Sequence, residues 1–567
     1  MSTTEAPSTQ ATNTQTASVG NAGDFAVGEM KMKSVGERRV AVIRTPSGIH
    51  ALDNACPHQG YGLVTGSLDG ELVTCQWHNW KFDASTGRCL VGEEDVACHQ
   101  VDIDDGGEVL VTVTEPTNEE RQTQLWPSLG RAIENAYAGQ IARDAVRLLD
   151  TGATPAEIMW AGFEPAIAKA EYGPGHELAL ATDCLSIAEA RDGQGRALPV
   201  VQGLHALADE SRDRPRRGVP ADATSIDLAT AIETEDIDAV MAATVELLEG
   251  GADVETMRDA FLRSVSMHHL GYGHGIIYTQ KSFELLDLVG WEHAKSVLPH
   301  LGVTIAYATR EDLLPYMRST MRIIDDVDLE QLANSSRAED WTPSDELVNT
   351  LLDSDSAAIE AAVEAVLHGA GITGLLDALS IAASRRLLRH DLNVEFSSED
   401  HFHWLDVTHA LTMTRAVRWA WTHQPGPEAA RLALFATWLL HDSGRAERRW
   451  GVRPERRADE TPSLSIADAV VARDSGAALA AVTELGAQSA GEQLLDAALN
   501  DPSGAFIVLA HLVKLTYAAI EETESTGSLL PLLAAARYLS SPRREAFVSR
   551  NVHEALDFIR TGKPPQR

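Results

Sequence analysis

The sequence predicts a chain of two unlike parts: a small all-β domain, then a large all-α domain built from helical quasi-repeats. Three observations carry this. From about Val27 onward, short runs such as Arg39-Val40-Ala41-Val42-Ile43-Arg44, Leu72-Val73-Thr74 and Val109-Leu110-Val111-Thr112-Val113 are bounded by Gly and Asp, as strands are. After a polar link, Glu115 to Glu120, long Ala/Leu/Glu/Arg segments take over, with a composition that buries helical stripes against one another. Finally, this second part resembles itself at intervals. With 567 residues there is room for several domains.

Taken in order, residues 1–24 are rich in Ser, Thr, Ala and Gln and are expected to form a disordered tail. Residues 25–115 form the β-domain. Within it lie Cys56-Pro57-His58 and Cys75-Gln76-Trp77-His78, separated by a stretch containing Gly60, Gly62, Gly66 and Gly70. Two short loops can thereby bring two thiolates and two imidazoles to one point, which is a metal site; a tetrahedral zinc would accept the set. The full pattern, from Cys56-Pro57-His58 through Trp77-His78-Asn79-Trp80 to Phe82-Asp83 and Thr86-Gly87, resembles the Rieske ferredoxin family. That resemblance covers essentially the whole β-domain. It implies a [2Fe-2S] cluster with Cys56 and Cys75 on the inner iron and His58 and His78 on the outer one, acting as a one-electron relay. Cys89 and Cys98 fall outside the pattern and are expected to be ordinary small side chains.

Residues 121–567 are expected to be helical throughout, with breaks at Gly152, the Ser211-to-Pro220 run, Pro343, the Gly444-to-Pro462 run and Pro502. Here Val146-Arg147-Leu148-Leu149-Asp150-Thr151-Gly152-Ala153 matches Val245-Glu246-Leu247-Leu248-Glu249-Gly250-Gly251-Ala252, and weaker copies begin at Val363 and Val482. Each copy leads to a histidine, namely His176, His274, His409 and His511, at valine-to-histidine distances of 30, 29, 46 and 29 residues. The third copy carries an insertion near Asp400 to His403. Four quasi-repeats with a histidine at one position could converge their imidazoles on a metal; the plain alternative is that each fills a polar gap in helix packing. A looser second set, His205, His300, His441 and His553, follows one helix later.

The segment Ser266-Met267-His268-His269-Leu270-Gly271-Tyr272-Gly273-His274 is the richest of these. Adjacent histidines cannot face one way on a helix, but His269 and His274 can be brought together if the glycines loosen the turn between them. Together with Thr408-His409-Ala410-Leu411-Thr412 and Arg418-Trp419-Ala420, its His268-to-Gly273 phrase resembles the questin-oxidase-like family of helical oxygenases, which implies oxidative chemistry without fixing a substrate. A competing resemblance, Trp438-Leu439-Leu440-His441-Asp442-Ser443-Gly444, is to the His-Asp signature of HD-domain proteins, with His409 upstream. It implies a metal-dependent hydrolase.

The formal charge of −36, from 83 acidic and 47 basic residues, opposes binding to a phosphate backbone, so no nucleic-acid partner is expected. Five cysteines, two of them assigned to the cluster, leave no disulfide framework. Neither a signal-like start nor an uncharged run of membrane-spanning length appears, and a soluble cytoplasmic protein with no membrane association is expected.

A one-electron relay tethered to a large domain serves a domain that must receive single electrons. The working expectation is therefore an iron-dependent oxygenase or oxidase that acts on an apolar or aromatic small molecule with O2, fed by its own Rieske cluster. The metal ligands expected in the helical domain are His176, His269, His274, His409, His441 and His511, with non-haem iron as the cofactor and carboxylates available at Asp183, Glu284, Asp406 and Asp442. Tyr272, Tyr278, Trp404, Trp419 and Trp421 are candidates to line a pocket. With no Gly-x-Gly-x-x-Gly after a strand, electrons are expected from an external ferredoxin or NAD(P)H-dependent reductase. A homo-oligomer stays open, as do the HD-like hydrolase and a non-catalytic electron-transfer protein with a helical docking scaffold.

Overall fold

The computed structural model describes residues 14–220, 226–395, 403–503, 505–543 and 547–562. It falls into two compact units, one reaching Ala132 and including residues 137–153, the other comprising residues 133–136 and 154–567.

The first unit holds two antiparallel sheets. The larger runs in the order β1 (Thr14–Asn21), β10 (Glu108–Thr114), β9 (Cys98–Ile103), β4 (Ile49–Asp53), β3 (Arg38–Arg44), β2 (Glu29–Val35); the smaller runs β5 (Ser67–Asp69), β6 (Leu72–Thr74), β7 (Lys81–Asp83), β8 (Cys89–Val91). Strand β3 is buried on both faces, and its alternation divides two cores. Val40 and Val42 face a core with Val19, Phe25 and Val111, while Ala41 and Ile43 face one with Leu63, Val73, Phe82, Cys56 and Cys75. The candidate thiols thus belong to the second core.

Strand β1 corrects one expectation. Residues 14–21, read as part of a disordered tail, pair antiparallel with β10 from Thr14↔Thr114 to Asn21↔Glu108. The segment is polar because most of it is exposed; Val19 alone is buried, and the ladder does the rest. Residues 1–13 of that tail lie outside the described residues.

Two helices, Asn118–Glu134 and Ala138–Asp150, follow the sheets. The expected boundary at 121 falls inside the first of these. Arg147 pairs with Glu94, and Arg143 donates to the His58 carbonyl at 3.0 Å, which ties the 138–150 helix to the β-unit.

The remainder is all-helical with repeated helix pairs. The first two repeats share their hinge atom for atom. Gly152 and Gly251 take φ of +94° and +85°, and Ala153 and Ala252 each donate a 3.0 Å bond to the carbonyl of Leu148 and Leu247 respectively. The next helix then starts on a side-chain cap, Thr154 in one case and Asp253 in the other. Four long helices carry the recurring histidines: His176–Glu189, His274–Val289, Trp404–His423 and Phe506–Thr526. They pack as a closed ring, each touching the one before and the one after. The third repeat's insertion lies outside the described residues over 400–402. One helical stretch, Ser356–Arg389, is long and apolar enough to cross a membrane, but 67% of its apolar window is buried within the fold, as in a core helix.

Candidate metal centres

In the β-unit, each candidate loop is closed by its own backbone. Cys56 N–H donates to the Tyr61 carbonyl, Gly60 N–H donates to the Cys56 carbonyl, and Cys75 N–H donates to the Trp80 carbonyl, each at 2.8 Å. Gly60, at φ +77°, and Asn79, at φ +61°, supply the left-handed turns. The two loops present their ligand types in two layers. Cys56 and Cys75 are 2% and 3% exposed in the core, whereas His58 and His78 meet edge to face at 4.3 Å on the outer side, with His78 exposed.

Trp80 stacks on His58 at 4.8 Å, and Trp77 stacks on Tyr61 at 4.9 Å beside the imidazoles. Burial pushes the Cys56 thiol up to about 11, and burial, His78 and Arg143 hold His58 below its ordinary value. His58 Nδ1 is buried without a hydrogen-bond partner among the described residues. Two soft donors inside, two imidazoles outside and an orphaned ring nitrogen fit an iron–sulfur cluster held by these four residues.

The helical unit builds a second centre at the middle of its ring of helices. His176 and His274 each open a helix directly after a Gly-x-Gly, Gly173-Pro174-Gly175 and Gly271-Tyr272-Gly273. The glycines are required by fit: at Gly173 (φ +79°) a Cβ would lie 2.3 Å from Thr304, and at Gly273 (φ +80°) 2.5 Å from Met413 Sδ. His409 and His511 instead lie inside their helices, each five residues after the helix start.

His274 Nε2 lies 2.8 Å from His409 Nε2, and His409 Nε2 lies 3.4 Å from His511 Nε2. The His176 ring is centred 4.8 Å from His274 and 4.9 Å from His511. Ligand atoms of His176, His274 and His409 all fall within 4.8 Å of one another. Two nitrogens on one metal at about 2.1 Å each would be separated by about 3 to 3.4 Å, so the spacing suits a shared ion.

The protonation states suit one as well. Burial drives His176, His409 and His511 well below the ordinary imidazole value and His274 to about 3. Lys514 adds to this for all four. Ring orientation is set from behind. His511 Nδ1–H donates to the Ile507 carbonyl at 2.7 Å, which leaves Nε2 bare toward the centre. His176 Nδ1 meets the Tyr278 hydroxyl at 2.9 Å, and its buried Nε2 has no partner among the described residues. Tyr278 also stacks on His274 at 5.1 Å.

His269 and His441, read as ligands, are placed elsewhere. His269 is buried with Nε2 3.2 Å from Glu311 Oε2 and its ring against Trp438. The Gly-Tyr-Gly turn does break the helix, but it gives His274 a fresh start and leaves His269 on the far side of it. His441 is half-buried, pushed down to about 4 by burial and by the Arg448 cation. Its neighbour Asp442 accepts two bonds from Arg445, and among the described residues neither His441 nor Asp442 joins the ligand group that contains His409.

The other candidate carboxylates are also engaged: Asp183 and Glu284 by Lys281 at 2.6 and 2.7 Å, and Asp406 by the His403 N–H. No carboxylate joins the three-imidazole group among the described residues. Tyr272 reaches the centre, its ring 5.7 Å from His409, whereas Trp404 packs on His390 and Tyr538. Lys514 was missed at the level of sequence, although its position one helical turn after His511 was a signal.

Residues 15–102 match the family model for the Rieske [2Fe-2S] domain. The ferredoxin component of the alkene monooxygenase system of Xanthobacter autotrophicus is 36% identical over 96 residues, 16% of this chain and 76% of that protein. The 3-chlorobenzoate-3,4-dioxygenase oxygenase subunit of Comamonas testosteroni is 37% identical over 62 residues, 11% of this chain and only 14% of that one. Among solved structures, the ferredoxin of carbazole 1,9a-dioxygenase from Nocardioides aromaticivorans IC177 is 27% identical, covering 17% of this chain and 96% of that chain with a TM-score of 0.16.

Proposed function

Through its N-terminal unit the chain belongs to the Rieske [2Fe-2S] family, and from that premise we propose an oxidoreductase whose helical unit holds a non-haem iron between His176, His274, His409 and His511. It uses O2 on an apolar or aromatic organic substrate, with electrons relayed by its own cluster. The observation that carries this reading is the convergence on one point of four imidazoles from four helices, each held below its ordinary value by desolvation.

Iron bound there would supply one-electron chemistry toward O2. The chain's residues do the rest. Burial keeps the imidazoles unprotonated and able to ligate. The Ile507 carbonyl and the Tyr278 hydroxyl orient two of the rings. In the β-unit the exposed His78 edge and the Tyr61–Trp77 stack give an external ferredoxin or NAD(P)H-dependent reductase a place to deliver electrons. The alkene monooxygenase ferredoxin matched above belongs to a system of this kind. Five cysteines without a disulfide suit the reducing cytoplasm.

The test is metal analysis of the full chain beside His409→Ala. We expect roughly three iron and two acid-labile sulfide per chain, with the variant losing one iron while keeping the Rieske spectrum. Anomalous scattering should place the third iron at the imidazoles. Wild-type protein with cluster iron alone would end the reading, and so would full metal retention by the variant. Oxygen uptake with a reductant then separates an oxygenase from a hydrolase.

A further inference from the structure

Two lysines are buried on the helices that carry His274 and His511, and they are treated differently. Lys281 is held by Asp183 at 2.6 Å and Glu284 at 2.7 Å, a complete ion-pair set. Lys514, 3% exposed, has no hydrogen-bond partner for its Nζ among the described residues. Asp183, the carboxylate that acts on it, is already engaged by Lys281. An ammonium taken out of water without a counter-charge is among the most costly groups a fold can hold. The expense is reflected in its acidity, since burial lowers Lys514 to about 7. A structure that keeps such a group must gain something from it.

Position suggests what. Lys514 follows His511 by one helical turn, so both side chains project from one face of the Phe506–Thr526 helix. Its charge is felt by His176, His274, His409 and His511 alike. His176 and His274, which open helices of the central ring, are each partly accessible as residues. Tyr278 and Tyr272 bring flat aromatic rings to the same imidazoles.

We propose that Lys514 is the anchor of an oxyanion-binding subsite at the four-imidazole centre, and that the substrate is an organic molecule presenting a phenolate, enolate or carboxylate oxygen to Nζ. The proposal rests on the reading of that centre as the reaction site. It also goes beyond it, because an ion held by four neutral ligands would carry its full positive charge. A lysine facing that charge with no anion between would be more costly still, and one oxyanion reaching both would offset the two.

The experiment uses full-length wild type, Lys514→Met and Lys514→Arg, with 4-nitrophenolate and benzoate as probes, each titrated against protein as purified and against protein stripped of the second metal. Wild type should bind at least one probe. Lys514→Met should bind it about 10- to 100-fold more weakly, the range for a charged hydrogen bond, and Lys514→Arg should recover part of the loss. Which probe binds tells phenolate from carboxylate recognition.

Removal of an unpaired buried cation should also leave Lys514→Met at least as resistant to heat as wild type when no probe is present, and with its second metal retained. Equal probe affinity in wild type and Lys514→Met, or no binding of either probe by wild type, overturns the proposal. Absence of a second metal with Lys514-dependent binding intact overturns the iron reading alone. If Lys514→Met fails to fold, Lys514→Gln takes its place under the same criteria.

Discussion

The molecule gathers imidazoles twice, by opposite means. In the β-unit, four candidate ligands lie within 23 residues, on two loops that their own backbone closes, with thiols inward and imidazoles outward. In the helical unit, four imidazoles come from helices more than a hundred residues apart in places, as His274 and His409 are, and meet inside the ring of helices. A centre made by local loops depends on a few turns and can stand at a surface. One made by distant helices depends on the whole packing of a domain, and it can be dry. The first suits passage of electrons to and from partners; the second suits chemistry that must exclude water.

The contrast can be broken most directly by asking whether the centres are independent. Cys75→Ser should abolish the cluster and its visible spectrum, while the metal proposed for the helical centre stays in place; combined loss would mean that one site depends on the other. The next largest effect concerns the packing on which the second centre depends. Arg418 makes two 2.9 Å bonds to the fully buried Glu522 and lies 3.0 Å from Asp377. Glu522→Gln leaves that guanidinium short of counter-charge, and thermal unfolding should register a loss of about 3 kcal/mol confined to the helical unit.

Acid should also separate the two. In the metal-free protein His274 titrates near 3 when folded and near its ordinary 6.5 when unfolded. Between those values the unfolded chain binds the extra proton, so this contribution is intact above pH 6.5 and is lost as pH falls toward 3. The slope is about 1.4 kcal/mol per pH unit for each such imidazole. Urea titrations at stepped pH should find the helical unit weakening first, and equal acid sensitivity of the two units would contradict this.

Tyr278→Phe keeps the ring against His274 but removes the hydroxyl from His176, and should weaken metal binding about 10-fold, measured by competition with a chelator. The smallest effect belongs to the β-unit. Arg143→Gln removes a cation beside His58, so the cluster's reduction potential should fall by the equivalent of roughly 1 kcal/mol; an unchanged potential would show that the Arg143 contact is structural only.

How far each centre was legible in the sequence follows from the same contrast. Cys-x-His and Cys-x-x-His can be read because a loop keeps its ligands close along the chain. His176, His274, His409 and His511 could be grouped only because the repeat carries one histidine per unit, and the Gly173-Pro174-Gly175 counterpart of Gly271-Tyr272-Gly273 went unread. Proximity along the chain misled at His269, where a left-handed turn at Tyr272 intervenes, and the His-Asp signature misled at His441, which lies by Arg448. The candidate carboxylates failed for a different reason. An acidic residue's partner is chosen in three dimensions, and Lys281 and Arg445 had claimed Asp183, Glu284 and Asp442. Strand β1 was hidden because its pairing partner lies at the other end of the unit.

That last pairing bears on ancestry. Thr14 and Thr114 are register partners, their hydroxyls 3.4 Å apart, so the first and last strands of the larger sheet start and finish at neighbouring points on one edge. A module with adjacent ends can be spliced into a gene, or out of it, without pulling its own fold open or stretching its host. The paired strands thereby form a cassette whose two ends meet, whatever the helical part attached to them does.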